Sequence, residues 1–291
     1  MKKYIFTMLI AAAVAACSKD DNPEPEPEIT YTNGITRVFE YVPAPGQFIN
    51  VLPAATAEDT PETMRQKAEA ALTNGSMISL GGFGGYVVFG FDHTIVNREG
   101  NDFVILGNAL ATWAEPGVIM VSHDANGNGL PDDEWYEIAG SEYRKPTTIK
   151  NYEITYYKPE AEPANPNEPN YIRWTDNQGQ SGWLPKNFSH TQAYYPLWAG
   201  DSYTLKGTFM EATLSNNVSL PYDWGYADNY PNNDVRAQID IDWAVDKNGN
   251  PVKLKGVDFV KVYTGNRAVS DMFGEISTEV SGFIDLNLIN Q

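Results

Sequence analysis

Apolar and polar positions alternate in short runs along most of the chain, and one stretch alone carries the three-to-four spacing of a surface helix. Val38-Phe39-Glu40-Tyr41-Val42, closed by Pro43 and Pro45-Gly46, predicts a first strand. Asp59 or Thr60 can then cap a helix with Pro61 in its first turn, Glu62 at its positive end and Gly75 beyond Asn74. Met64, Ala68, Ala71 and Leu72 make the stripe that this helix lays on a sheet. From Met77 the period changes. Ile78-Ser79-Leu80 leads into Gly81-Gly82-Phe83-Gly84-Gly85 and a strand, Tyr86-Val87-Val88-Phe89-Gly90-Phe91, which breaks at Asp92-His93. No Gly-Lys-Ser/Thr follows the glycines, and a strand stands where a phosphate cradle needs a helix, so the cluster predicts a turn or bulge where backbone passes close to another strand.

Phe103-Val104-Ile105-Leu106 and Val118-Ile119-Met120-Val121 have the length of buried sandwich strands, and Tyr152-Glu153-Ile154-Thr155-Tyr156-Tyr157 alternates. Residues 158–170, rich in Pro, Asn and Glu, predict a loop, and residues 171–204 are aromatic without clear period. Ala237, Ile239, Ile241, Trp243 and Val245 alternate with polar residues and predict a strand; Asn248-Gly249-Asn250 marks a tight turn before a last strand at Val257-Asp258-Phe259-Val260-Lys261-Val262-Tyr263. Many short strands and one helix predict a mostly β fold: a β-sandwich over residues 31–291 with one short helix, long loops and a loop-rich insertion around 158–204.

The chain begins differently. Met1-Lys2-Lys3, an apolar run to Val14 and small residues at Ala15 and Ala16 make residues 1–16 a signal peptide, too short in its apolar part to span a bilayer. Cys17 is the one cysteine in the chain, and an unpaired thiol in an exported protein is explained by lipidation after cleavage. Residues 17–30 then form a lipidated tether in which Pro23, Pro25 and Pro27 alternate with Glu24, Glu26 and Glu28, giving an extended spacer. Ser18-Lys19-Asp20-Asp21 resembles the tag after the lipidated cysteine of Bacteroidetes surface lipoproteins, which implies an outer-membrane anchor exposed at the cell surface.

Without residues 1–16, 18 basic and 38 acidic side chains remain. Such a field repels nucleic acid and anionic headgroups and favours divalent cations. The densest acidic motif is Asp124-Ala125-Asn126-Gly127-Asn128-Gly129-Leu130-Pro131-Asp132-Asp133. Asp124, Asn126 and Asn128 sit at the first, third and fifth positions of a calcium loop, with a glycine at the sixth, the Leu130 carbonyl at the seventh and Asp132 or Asp133 closing it. Trp135 stands where an EF-hand has Glu and the flanks read as strands, so the expected calcium is structural, within a β-fold; the bare alternative is an Asx-rich turn. His93, His123 and His190 have no zinc-ligand spacing. Asp223, Asp228, Asp234, Asp240 and Asp242 offer a second cation site or a hydrolase pair, and no catalytic triad is signposted. Seventeen Tyr and seven Trp supply strand residues and flat binding surfaces; Trp174, Trp183, Tyr194, Tyr195 and Trp198, in the aperiodic region, are the candidates for touching a ligand.

Residues 79–93, Asp102-Phe103, Gly107-Asn108, Glu115-Pro116-Gly117 and the calcium-like loop, with blocks at 237–246 and 257–264, resemble a family of bacterial cell-surface proteins. These blocks are similar to modules with a galactose-binding-like jelly roll, and similar Bacteroidetes lipoproteins are described as cell-surface or polycystic-kidney-like proteins, some beside cobalamin transporters. The resemblance implies a jelly-roll-like sandwich and a non-enzymatic module that captures a corrinoid or a glycan for an outer-membrane uptake system, with a TonB-dependent transporter as partner. A carbohydrate-active hydrolase and a structural or adhesive surface protein are the other readings that the residues leave open.

Overall fold

A strand between two neighbours has both backbone edges hydrogen-bonded, and where other layers also cover its two faces its side chains read as a near-continuous buried run. Tyr86–Val96 and Gly256–Thr264 pair antiparallel at the middle of a six-stranded sheet, in the order Arg37–Val42, Tyr86–Val96, Gly256–Thr264, Gly117–Ser122, Trp135–Ile138, Ala244–Val245. The fold is mostly β, described over residues 30–289 by a computed structural model; the signal peptide, Cys17 and residues 17–29 of the tether lie outside the described residues. Val87, Phe89, Ile119, Val121, Val260 and Val262 form the main core.

Further antiparallel sheets complete the architecture, as a β-sandwich requires. Gln238–Ile239, Phe103–Leu106 and Gly282–Asp285 make a three-stranded sheet. Phe283 joins it to the main sheet, its ring 5.1 Å from Phe103 and 4.3 Å from Phe91. Ser202–Phe209, Ile149–Tyr157, Ile172–Asp176 and Ser181–Leu184 make a four-stranded sheet, whose inner face packs Tyr152, Ile154, Tyr156, Ile172 and Leu184 with Phe83.

The helix occupies Pro61–Thr73, capped by Thr60, which exchanges hydrogen bonds with Thr63. Met64, Ala68 and Leu72 are buried and Ala71 packs against the core at its edge. Two side chains on this helix also serve the first strand, whose register slips between Val38 and Glu40: Glu69 accepts from the Val38 N–H at 2.9 Å and Arg65 donates to the Val38 carbonyl at 2.6 Å. A second, short helix, Leu286–Ile289, follows the last strand.

The glycine cluster is where backbones meet. A Cβ on Gly85 would lie 1.8 Å from the Leu80 carbonyl oxygen and 2.3 Å from the Ala44 nitrogen, and one on Gly81, which has φ +70°, 2.1 Å from the Ala44 carbonyl oxygen. Two expected features take another form. The strand of residues 86–91 does not stop at Asp92-His93 but runs to Val96, because Ile95 and Val96 go on pairing with Val257 and Gly256, while the His93 ring is held between Asp92 at 2.8 Å and Asp285 at 3.1 Å. Nor do residues 237–245 form one strand. Asp234 and Asp240 accept from the N–H groups of Arg236 and Asp242, folding two 3-10 turns, Val235–Ala237 and Ile241–Trp243, between the two-residue strands Gln238–Ile239 and Ala244–Val245.

Candidate functional site

The four-stranded sheet carries an open aromatic face with charged groups beside it. Strand alternation puts Tyr156, Trp174 and Leu184 inward, so the side chains in between, Tyr157, Arg173 and Trp183, fall on the outer face. Arg173 lies directly opposite Trp183 across the strand pair, and its guanidinium sits 4.7 Å from the Tyr157 ring centre. Trp183 is 45 % exposed. An open groove of about 710 Å³ runs over this face, walled by residues of the 158–170 loop, including Pro159, Glu160 and Asn170. Glu162 fixes that wall. It accepts from the Tyr171 hydroxyl and from Lys186 at 2.8 Å, and the Lys186 side chain is 4 % exposed.

Trp174 stands on the other side of the same sheet. Gly182 leaves room for it, since a Cβ there would meet the Trp174 ring at 2.4 Å, and the Arg267 guanidinium stacks on the ring at 4.2 Å. Trp174 and Trp183 both line a narrow slot that also reaches Phe83, Tyr156, Arg267 and Glu275. Of the remaining aromatic candidates, Tyr194 and Tyr195 are buried in the core of this sheet, donating to the His190 and Gly200 carbonyls, and Trp198 is half-buried, its ring 6.4 Å from Tyr41. Their burial removes Tyr194 and Tyr195 from any surface a ligand can reach.

The acidic loop is closed by its own groups. Asp124 accepts from the N–H groups of Asn128 at 3.1 Å and Gly129 at 2.8 Å, Asn126 from Asn128 and Asn128 from Leu130. Asp133 accepts from the Ala125 N–H, while the amides of Asn126 and Asn128 donate to Asp132. These are Asx turns, an arrangement that orders the loop and aims its oxygen side chains at one another.

Among the described residues, the trio of acidic side chains that converges is a different one, Glu115, Asp228 and Glu279, whose ligand atoms lie within 4.8 Å of one another. The three come from separate segments: the loop before strand Gly117–Ser122, a turn in which Asp228 has φ 50°, and the strand Glu279–Val280. Asp228 accepts from the N–H groups of Asn108, Ala109 and Glu279 at 2.8, 2.9 and 3.0 Å, and Ser277 donates to Glu279 at 2.6 Å. Burial, then the Glu279 carboxylate, pushes Asp228 up to about 8; burial raises Glu279, and burial with both neighbours raises Glu115 well above the carboxylate range. An open pocket of about 460 Å³, lined by Asn108, Leu110, Trp113 and Glu115, leads to it. Three carboxyl groups so placed share protons at neutral pH or give oxygen ligands to a divalent cation.

The sequence pointed to Asp228 among five acids but not to its partners. Of the other four, Asp234 and Asp240 cap turns, Asp242 pairs with Lys253 at 3.0 Å, and the Asp223 N–H donates to Ser141. His123 pairs with Asp258 at 2.7 Å, and burial lowers His190.

Residues 1–18 match the signature of a prokaryotic membrane lipoprotein lipid attachment site. The chain carries the attachment signal of a membrane-anchored lipoprotein. No curated protein matches it. Lipid on the lipoprotein's N-terminal segment holds the β-domain at a membrane, while the groove over Trp183 belongs to residues 157–183, far along the chain from the anchor.

Proposed function

We propose that this lipoprotein is a non-enzymatic capture module, exposed at the surface of the outer membrane, that holds a flat or ring-shaped ligand against Trp183 for delivery to an uptake transporter of the TonB-dependent kind. The observation that carries the proposal is the row Tyr157, Arg173, Trp183 on one sheet face, open to a groove whose loop wall is tied down by Glu162. An exposed indole beside a guanidinium and carboxylates gives both a stacking surface and directed hydrogen bonds, the pairing that ring ligands with polar rims require. The ligand classes are a corrinoid and a glycan.

Calorimetric titration of the β-domain against cyanocobalamin, and then against a panel of oligosaccharides, tests the proposal. Binding of either class that weakens by about tenfold or more in Trp183→Ala, the cost of losing a buried aromatic contact of about 1.4 kcal/mol or more, is the expected result. Silence with both classes would leave the structural or adhesive reading in its place.

Calcium belongs to the same proposal as a stiffening ion in the loop from Asp124 to Asp133. With calcium at about one hundred times its dissociation constant, linkage raises stability by about 2.7 kcal/mol. Thermal unfolding should therefore shift upward with calcium in the wild type and stay unmoved in Asp124→Asn combined with Asp132→Asn; an equal shift in both would assign any bound calcium elsewhere.

A further inference from the structure

The outer face of the four-stranded sheet is ordered in rows, because residues paired across antiparallel strands project to the same side. One row reads Ser202, Tyr157, Arg173, Trp183; the next, two residues along each strand, reads Thr204, Thr155, Thr175, Ser181. The second row is all hydroxyls: Thr155 and Thr204 bond each other at 2.7 Å, and Thr175 reaches the Tyr157 hydroxyl in the first row at 3.0 Å. Arg173, Trp183, Ser181 and Thr204 are exposed, with Tyr157, Thr155 and Thr175 half-buried between them. Four strands make each row ~14 Å long. Arg173 is the one charged side chain in either row. Its guanidinium lies over the Tyr157 ring at 4.7 Å and makes no hydrogen bond or ion pair among the described residues, whereas the nearby cations Arg267 and Lys186 are paired with Asp176 and Glu162.

We propose that this face binds an acidic glycan, a chain of sugar rings that lies along the rows with one ring on Trp183 and a carboxylate on Arg173. The inference rests on the capture reading and chooses between its two ligand classes. An exposed indole takes the apolar face of a sugar ring, and a row of hydroxyls, each both donor and acceptor, trades hydrogen bonds with the hydroxyls of the neighbouring rings. Length separates the classes, since a chain of linked rings covers a row that crosses four strands. Charge narrows the glycan. A guanidinium fork matches a carboxylate with two parallel N–H···O bonds, and stacking on Tyr157 fixes its plane before the ligand arrives, so less freedom is lost on binding. The loop wall adds no net positive charge: Lys158 stands beside Glu160, and Glu168, which accepts from the Asn170 N–H at 3.0 Å, is a second acid there. One carboxylate at Arg173 therefore suits the groove, and a densely charged chain is repelled.

Cellobiose and cellobiouronate, in which a carboxylate replaces one hydroxymethyl group, are the probes, titrated calorimetrically into the mature lipoprotein in detergent micelles at low and at high salt. Cellobiouronate should bind about tenfold more tightly at low salt, and the preference should shrink at high salt, as an exposed charge-assisted contact does. That salt dependence is read on the wild type and needs no variant. Arg173→Met keeps the stem beside Tyr157 and removes the fork, so it should bind the two sugars alike, with the affinity of the wild type for cellobiose. Trp183→Ala should weaken both by about tenfold. Equal binding of the two sugars by the wild type, or a preference for the acid that survives in Arg173→Met, would overturn the acidic class, while affinity that depends on Trp183 would leave the capture reading standing. Binding of neither sugar would overturn the glycan class, and the capture reading would then be judged by its own titration with cyanocobalamin.

Discussion

Raising the pH from 5 to 8 should destabilise the β-domain by about 3 kcal/mol, lowering its melting temperature by roughly 6–12 °C. The cause is the buried trio Glu115, Asp228 and Glu279. Each has its folded-state pKa raised, Asp228 to about 8, whereas in the unfolded chain the same groups titrate near the ordinary carboxylate value. Between those limits the folded state binds more protons than the unfolded state. Stability is therefore fully present below the unfolded pKa and is lost as the pH climbs toward the folded one. One acid raised this far keeps nearly a full extra proton in the folded state across most of the window, which accounts for about 3–4 kcal/mol, and the three acids share that protonation rather than titrating one by one. Exposed carboxylates held by neighbours, such as Asp234 beside Arg236, are lowered instead and change below this window. Lys150, lowered to about 8 mainly by burial, acts at its upper end and beyond.

Thermal melts across this range, repeated for Glu279→Gln, measure the effect. Glutamine keeps an acceptor for Ser277 and removes one ionisable group, so its curve should be flatter by at least half. A divalent cation that replaces the shared protons would lift the wild-type curve at pH 8 and leave it unchanged at pH 5. A pH-independent melt would contradict the account of this cluster.

Gly85→Ala should cost more than any surface change in the molecule, about 3 kcal/mol or more, enough to leave much of the protein unfolded or insoluble. The new methyl would overlap the Leu80 carbonyl oxygen and the Ala44 nitrogen, both backbone atoms, and neither can rotate away. Ala44 and Leu80 are themselves joined by a hydrogen bond of 2.9 Å, so the clash breaks a contact on each side of the turn. Gly200→Ala is the control: no atom lies within 4 Å of the added carbon, and urea unfolding should give a midpoint close to wild type. A Gly85→Ala protein of wild-type midpoint would show that the close approach at this turn is not there.

What could be read in the sequence was local. The strands at residues 103–106, 117–122 and 256–264 and the helix with its Thr60 cap follow from apolar spacing and capping chemistry, which act within a few residues. The misread stretch at 237–245 had the right alternation, but Asp234 and Asp240 bonded their own backbone and bent it into turns, a competition that hydrophobic period does not encode. The carboxylate trio was illegible because Glu115, Asp228 and Glu279 are separated by long stretches of sequence and meet only through strand pairing. Trp183 and Tyr194 looked alike in an aromatic, aperiodic region. Alternation on an edge strand turned Trp183 outward, while Tyr194 was drawn under Tyr171 into the core.

The central claim is that a ligand rests on the Trp183 face, and its most direct measurement is the dissociation constant of wild type and Trp183→Ala for cyanocobalamin and for oligosaccharides, taken side by side with their melting temperatures. The account predicts binding in the wild type, a loss of about tenfold or more in the variant, and melting temperatures that agree, because a side chain 45 % exposed contributes little to the core. Binding that is the same in both proteins would place the ligand elsewhere and contradict the account.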